Sequence, residues 1–305
     1  MKIAFIYAGQ GSQVAGMGLD LYEGNEVFKK SMDELDATGR IKELCFNTEI
    51  SELSKTDNTQ PAMVGFAIAV TEVLMSMGIK PAYAAGLSLG EYSALYAAGV
   101  FSKTQAIDLV SFRGKQMATV CANIDCGMAA ILGLDRDVLQ EVCNKAEELG
   151  IITIANYNCP GQLIISGEKA ALEEACELAK VAGARRVMPL NVSGAFHSKL
   201  MKPAGDALRE KFKKEAFGEM KIPVIFNATA RPINVNDNIP TLLERQVQDS
   251  VYFEDSIQYM IDEGVDTFIE SGPGKVLSGF VKKINKEVKI YSVSTMEDLE
   301  KLNLG

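Results

Sequence analysis

Along the first hundred residues, short apolar runs alternate with longer stretches of helical spacing. Residues 2–8 form a nearly continuous apolar run, which reads as a strand buried on both faces. Residues 20–35 carry helical spacing, and 60–77 read as a strongly apolar helix opened by Pro61. Residues 81–87 make a short strand and 92–98 begin a helix. Ser102 heads another helix, with Gln105 completing a capping box. Such alternation predicts a parallel sheet covered on both faces.

The middle of the chain has a different rhythm. The pattern of "MAAILGL" predicts a strand, "RDVLQEVCNKAEELG" a helix, and "IITIANYN" and "QLIISGE" two strands. "KAALEEACELAKVAG" then reads as a helix and "RRVMPLNV" as a strand. The order βαββαβ is that of a ferredoxin-like unit. It is expected as a small domain over 126–191, inserted into a larger discontinuous α/β domain made of 1–125 and 192–305. Beyond it, the pattern predicts a helix over 204–214, strands near 223–227 and 265–270, and the turn "SGPGK" leading into the helix "KVLSGFVKKI". Two domains so connected should form a cleft.

Composition narrows the function. Of 305 residues, 31 are basic and 40 acidic, a formal net charge of −9, which argues against general nucleic-acid binding. No apolar run reaches bilayer length, and the N-terminal run enters a glycine turn as a first strand would, so a cytoplasmic protein without membrane contact is expected. The six cysteines include no C-x-x-C pair and the chain has a single histidine, so neither a zinc site nor any other cofactor is expected. The thiols read as reduced, small apolar residues.

Candidate chemistry centres on Gly86-Leu87-Ser88-Leu89-Gly90. The motif ends a predicted strand and opens a predicted helix, as a nucleophile elbow does; an α/β-hydrolase-like large domain is then implied. Ser88 acting only as a helix N-cap is the alternative. A serine nucleophile needs a base, and His197 is the only imidazole available. "YAGQGSQ", residues 7–13, puts a second glycine turn after the first strand, but Val14 stands where a dinucleotide fingerprint needs glycine. Such a turn can instead offer a backbone N–H to an oxyanion. Leu89, after the nucleophile, and Gln10 are the expected donors. Arg113 shares one helix face with Ala106, Val110 and Met117, and an arginine on an apolar stripe needs an anion, either a structural carboxylate or a substrate.

Several segments together carry a family resemblance. They are "GQGSQ" (9–13), "GLSLGEYSAL" (86–95), "FRGKQM" (112–117), "NYNCPGQLIISG" (156–167), "GAFHSKLMKPA" (194–204), "RQV" (245–247) and "ESGPGKVLSG" (270–279). In this order and over nearly its whole length, the chain resembles malonyl-CoA:acyl-carrier-protein transacylases and the acyltransferase domains of polyketide synthases. The resemblance implies a malonyl ester on Ser88, His197 as base, and an oxyanion hole from Gln10 and Leu89. It also implies a bidentate malonyl carboxylate on Arg113, and the main-chain carbonyl of Gln246 orienting His197. Asn156, Asn158 and Gln162 would line the cleft. Leu87 departs from the family, which commonly has histidine there, and altered local packing is expected. Phe196 fits the malonyl-selective form of its loop.

The resulting expectation is a ping-pong transfer between malonyl-CoA and the phosphopantetheine thiol of acyl carrier protein. A serine esterase or thioesterase on the same scaffold, a polyketide-pathway acyltransferase with another extender unit, and a non-catalytic scaffold are the competing readings. An acidic carrier meeting a chain of net charge −9 should need a local basic patch. Lys199 and Lys202 are candidates, with Lys282, Lys283 and Lys286 as a second group.

Overall fold

The computed structural model describes residues 1–37, 39–192 and 194–302. Residues 193 and 303–305, which fall in the segment 192–305 assigned to the larger domain, lie outside the described residues. The first strand, β1 (Ile3–Tyr7), is buried throughout, as a run with no polar face requires. Two helices follow, α1 (Leu19–Gly24) and α2 (Glu26–Asp36), where one was expected. The break is at Asn25, whose Oδ1 accepts from the Val27 and Phe28 amides at 3.0 Å each. A side-chain cap of this strength overrides continuous periodicity.

After the single turn α3 (Ile50–Leu53), helix α4 (Thr56–Ser76) starts one turn earlier than expected and encloses Pro61. The proline costs one backbone hydrogen bond, and burial on almost every side of the helix compensates. This helix also corrects the expectation that no apolar run reaches bilayer length. It is long and apolar enough, but 83% of its most apolar window is buried inside the protein, so it is a core helix. Next come β2 (Tyr83–Gly86), α5 (Gly90–Ala97) and α6 (Lys103–Cys121). The Ser102 hydroxyl accepts from the Gln105 amide at 3.2 Å, yet the capping box stays open. Gln105 Nε2 instead donates to Glu215 Oε2 at 2.8 Å and to the Ala216 carbonyl at 3.1 Å, because tertiary partners compete for it.

The middle of the chain runs β3 (Cys126–Leu132), α7 (Arg136–Ala146), β4 (Ile152–Cys159), β5 (Gln162–Glu168), α8 (Lys169–Val181) and β6 (Arg186–Pro189). Its strands form a separate antiparallel sheet in the order β4-β5-β3-β6. Leu139 and Val142 of α7 and Leu172 and Ala175 of α8 bury against Ile154 and Ile165 in a core of its own.

The remainder is α9 (Lys202–Phe212), β7 (Val224–Ile225), α10 (Ile239–Gln246), α11 (Phe253–Asp262), β8 (Thr267–Ser271), α12 (Val276–Ile284), β9 (Lys289–Val293) and α13 (Met296–Glu300). The hydrophobic pattern had assigned nothing to α10, α11, β9 or α13, all of which are short. An N-cap marks α10, where Asn238 Oδ1 accepts from the Thr241 amide at 2.9 Å. The larger sheet is parallel in the order β7-β2-β1-β8-β9. Tyr7 pairs with Gly86 on one side and Ser271 on the other, so the loops after β1, β2 and β8 leave one edge of the sheet together. A crevice at the carboxyl ends of parallel strands is where such sheets bind ligands.

Two close approaches hold that edge in shape. A Cβ on Gly90 would lie 2.1 Å from the Tyr7 carbonyl oxygen, and one on Gly86 would lie 1.9 Å from the Gly90 carbonyl carbon. Both glycines permit the turn between β2 and α5 to fold tightly over β1. We expect Gly90→Ala to destabilise the protein by about 3 kcal/mol or more in a denaturant titration, since backbone must move to admit the methyl group. Gly279→Ala is the control. It sits in α12 with nothing within 4 Å of the added carbon, so it should gain about 0.5–1 kcal/mol of helix propensity.

Candidate active site

Ser88 occupies the turn between β2 and α5 with φ +51°, the left-handed region that a residue with a β-carbon enters only under constraint. Its amide donates to Asn227 Oδ1 at 2.7 Å, and its carbonyl accepts from Gln246 Nε2 at 2.6 Å. The strain is therefore held by two side-chain amides from distant segments. The N-cap alternative is not what the side chain does: α5 begins after Leu89 with no side-chain cap bond. The Ser88 hydroxyl lies 2.7 Å from His197 Nε2.

His197 is buried, with φ +58°, in the loop before α9. Its amide donates to the Val247 carbonyl at 3.1 Å. Its Nδ1 lies 2.8 Å from the Gln246 carbonyl oxygen. A carbonyl only accepts, so Nδ1 carries the proton and Nε2 presents its lone pair to Ser88 O–H. Gly194 lets this loop approach α6, because a Cβ there would fall 1.8 Å from Cys121 Sγ. Burial first, and the Arg113 charge second, push the imidazole from 6.5 down to about 4.

Arg113 is 1% exposed. Its Nη2 donates to Gln246 Oε1 at 2.9 Å and to Ser88 Oγ at 3.2 Å, and the guanidinium lies 5.6 Å from the Tyr92 ring centroid. Its Nε has no partner, and among the described residues no carboxylate pairs with it. The structural-carboxylate reading of this arginine thus has no counterpart in the geometry. Burial lowers its affinity for a proton, opposed by Tyr92 and Glu91. Burial raises the Glu91 carboxyl to about 8, which weakens the counter-charge it offers Arg113.

The amides of Leu89 and Gln10 donate no hydrogen bond within the protein among the described residues, and Gln10 and Ser88 line one cleft of about 360 Å³. The Gln10 loop lies tight against the elbow: a Cβ on Gly9 would be 2.5 Å from the Leu87 carbonyl oxygen. Arg113, His197, Phe196 and Leu87 share the cleft wall with Asn156 and Asn158 from β4. Gln162 does not line it. Its Oε1 accepts from Lys283 at 3.1 Å, tying the antiparallel sheet to α12. Lys202 is held by Asp206 through two hydrogen bonds of 2.8 and 2.7 Å, and Lys199 lines a separate groove beside β4. Lys282 and Lys286 face a shallow surface hollow on α12 with Lys275.

Two residues at the site escaped the reading of the sequence. Asn227 follows β7, spans the Ser88 amide and the Gly86 carbonyl (Nδ2 to O 2.6 Å), and donates its own amide to Glu91 Oε2 at 2.6 Å. Glu91 was visible only as one letter of a longer segment. A buried carboxyl placed at the start of a helix was the available signal.

The chain matches the acyl transferase domain family over residues 4–300. Over 302 residues it is 46% identical to the malonyl CoA-acyl carrier protein transacylase of Bacillus subtilis (strain 168), covering 98% of this chain and 95% of that protein. The solved structure of malonyl CoA-acyl carrier protein transacylase from Clostridium perfringens superposes with a TM-score of 0.95 at 40% identity, over 99% of this chain and 96% of that one. A malonyl-transacylase solved in complex with its type II PKS acyl-carrier protein gives 0.95 at 35% identity, over 99% and 98%.

An imidazole held near 4 remains an available base far below its ordinary 6.5. The rate at which a fluorophosphonate labels Ser88 should therefore hold through pH 6 and fall only as pH approaches about 4. Removing the neighbouring cation in Arg113→Ala should move that midpoint upward. The same shift means that neutral His197 contributes stability above pH 6.5 that is lost as pH falls toward 4. A labelling midpoint at or above 6.5 in the unaltered protein would contradict the assignment.

Proposed function

The chain belongs to the acyl transferase domain family, and on that premise we infer that it transfers the malonyl group of malonyl-CoA to the phosphopantetheine thiol of acyl carrier protein. The observation that carries the specific reading is Arg113, a buried cation that donates to the nucleophile oxygen and has no carboxylate partner among the described residues. A free carboxylate on the acyl group is what such a guanidinium can hold bidentately.

The transfer runs in two half-reactions. Ser88 O–H passes its proton to His197 Nε2 as Oγ bonds to the thioester carbonyl carbon, and the oxyanion is received by the Leu89 and Gln10 amides. Collapse breaks the C–S bond, and coenzyme A leaves as thiol with the proton from Nε2. The carrier-protein thiol then gives its proton to Nε2 while sulfur attacks the ester. Ser88 departs and recovers that proton. Gln246, through its carbonyl on Nδ1, keeps one tautomer throughout. No cofactor is needed for these steps, and an esterase reading leaves Arg113 without a role.

The same proposal takes the larger domain, 1–125 with 192–305, as α/β-hydrolase-like and the insertion 126–191 as ferredoxin-like. The order βαββαβ and the strand order β4-β5-β3-β6 support the second assignment. Six free cysteines support a reducing, cytoplasmic setting.

Intact-mass measurement after mixing with malonyl-CoA should find one malonyl adduct, absent in Ser88→Ala. For Arg113→Ala, breaking a buried charge contact of about 2–5 kcal/mol should cut kcat/KM for malonyl-CoA by roughly thirtyfold to several thousandfold, with acetyl-CoA losing much less. Arg113→Lys keeps the charge but not the fork and should fall between. An unchanged malonyl-to-acetyl ratio would remove the carboxylate-clamp role.

A further inference from the structure

Gln246 ends α10 and is fully buried, and it touches the site through three separate groups. Its main-chain oxygen faces His197 Nδ1 at 2.8 Å. Its side chain does something else. Nε2 donates to the Ser88 carbonyl at 2.6 Å, and Oε1 accepts from Arg113 Nη2 at 2.9 Å. We propose that the side-chain amide of Gln246 is a positioning residue that aims the oxyanion donor and the carboxylate clamp at one and the same acyl group. The proposal rests on the malonyl-transfer reading above and extends it to selectivity.

The first half follows from peptide planarity. Ser88 C=O and Leu89 N–H belong to one trans unit and point in opposite directions, so fixing the oxygen on one side fixes the hydrogen on the other. The Glu91 amide, from the first turn of α5, also reaches the Ser88 oxygen, at the longer distance of 3.1 Å. Local preference cannot hold this plane alone, because Ser88 sits at φ +51°. Asn227 holds the preceding plane through the Ser88 amide, and Gln246 Nε2 lies 3.4 Å from Asn227 Oδ1. The planes on either side of the nucleophile are thus each held by a side-chain amide, and the two amides meet.

The second half concerns Arg113. Among the described residues its Nε is unbonded, and the bond to Gln246 Oε1 is shorter than the one to Ser88 Oγ. Without that acceptor the guanidinium keeps only Ser88 Oγ and the Tyr92 face to set its orientation. A bidentate contact tolerates little rotation, so a mispositioned fork should cost a dicarboxylic acyl group more than a neutral one. One amide therefore couples recognition of the far carboxylate to stabilisation of the oxyanion.

The test uses two substitutions in the intact protein. Gln246→Met is close in volume and makes neither hydrogen bond. Gln246→Glu keeps the shape and puts a carboxylate where Arg113 can pair with it. Single-turnover acylation by malonyl-CoA and by acetyl-CoA is followed as the mass of the Ser88 ester between about pH 3 and pH 8, beside the thermal midpoint. Gln246→Met should slow acylation at saturating donor about tenfold or more with either donor, approaching but not exceeding the roughly hundredfold to thousandfold loss seen when an oxyanion donor is removed outright. The malonyl-to-acetyl preference should fall by a further factor of about ten. Gln246→Glu should collapse that preference further, because the clamp is already occupied. In Gln246→Met the pH of half-maximal acylation should stay where it is in the unaltered protein, since the contact to His197 is main-chain. In Gln246→Glu it should rise, because the new carboxylate offsets the Arg113 charge that lowers His197. A preference within threefold of the unaltered protein in both variants, or losses that merely follow the thermal midpoint, would overturn the proposal. A moved pH midpoint in Gln246→Met would overturn it too, by placing the effect on His197. Absence of a malonyl ester in the unaltered protein would instead sink the transfer reading itself, before any variant is compared.

Discussion

A single uncompensated charge organises the site. Arg113 is carried into the interior on the apolar face of α6, where an unpaired guanidinium is costly. The protein answers with dipoles: the Gln246 carboxamide, the Ser88 hydroxyl and the Tyr92 ring face. Among the described residues it does not answer with a paired carboxylate, and burial pushes the nearby Glu91 carboxyl up to about 8. The same cation also weighs on His197, whose proton affinity it lowers after burial has done the larger part. An acyl group bearing a carboxylate would relieve both at once. It would pair with Arg113 and, by screening that charge, make His197 a stronger base at the moment Ser88 must lose its proton.

Holding those groups together is a problem of backbone geometry. The elbow can fold only where Gly86 and Gly90 let β2, α5 and β1 approach within the space of a missing methyl. Ser88 and His197 both stand at positive φ, and neither conformation is one their side chains favour. Each is secured from outside its own segment, Ser88 by Asn227 and Gln246, and His197 by the carbonyls of Gln246 and Val247. Segments 227 and 246–247 therefore act as the frame against which the reactive pair is strained.

That frame continues into the antiparallel sheet. The Asn227 carbonyl accepts from the Tyr252 amide at 3.0 Å, and Val251 exchanges backbone hydrogen bonds with Ala155 and Tyr157 of β4. Tyr157 stacks on Tyr252 at 4.9 Å between ring centroids, and Arg136 forms ion pairs with Glu254 and Asp255. The strand carrying Asn156 and Asn158 into the cleft is thus pinned to the segment that follows the elbow's own support. The cleft wall and the nucleophile are referenced to the same few residues.

The sequence alone determined what depends on local pattern. Unbroken apolar runs set the buried strands, period 3.6 put Arg113 on a buried stripe, and glycine spacing marked the elbow at Ser88. A single histidine left one candidate base. Where the reading failed, a competing contact decided the outcome: Asn25 capped its way through an apparent helix, Gln105 found Glu215 in place of its capping box, and Gln162 turned to Lys283 in place of the cleft. The roles of Asn227, Glu91 and the Gln246 side chain lay beyond sequence reading for a different reason. Each acts on a residue 133 or more positions away, or on a partner brought near only by the β7-β2 pairing and the end of α10. Whether Arg113 met a carboxylate was likewise a question of three-dimensional neighbours. Only the folded arrangement left it facing the nucleophile, with no carboxylate partner among the described residues.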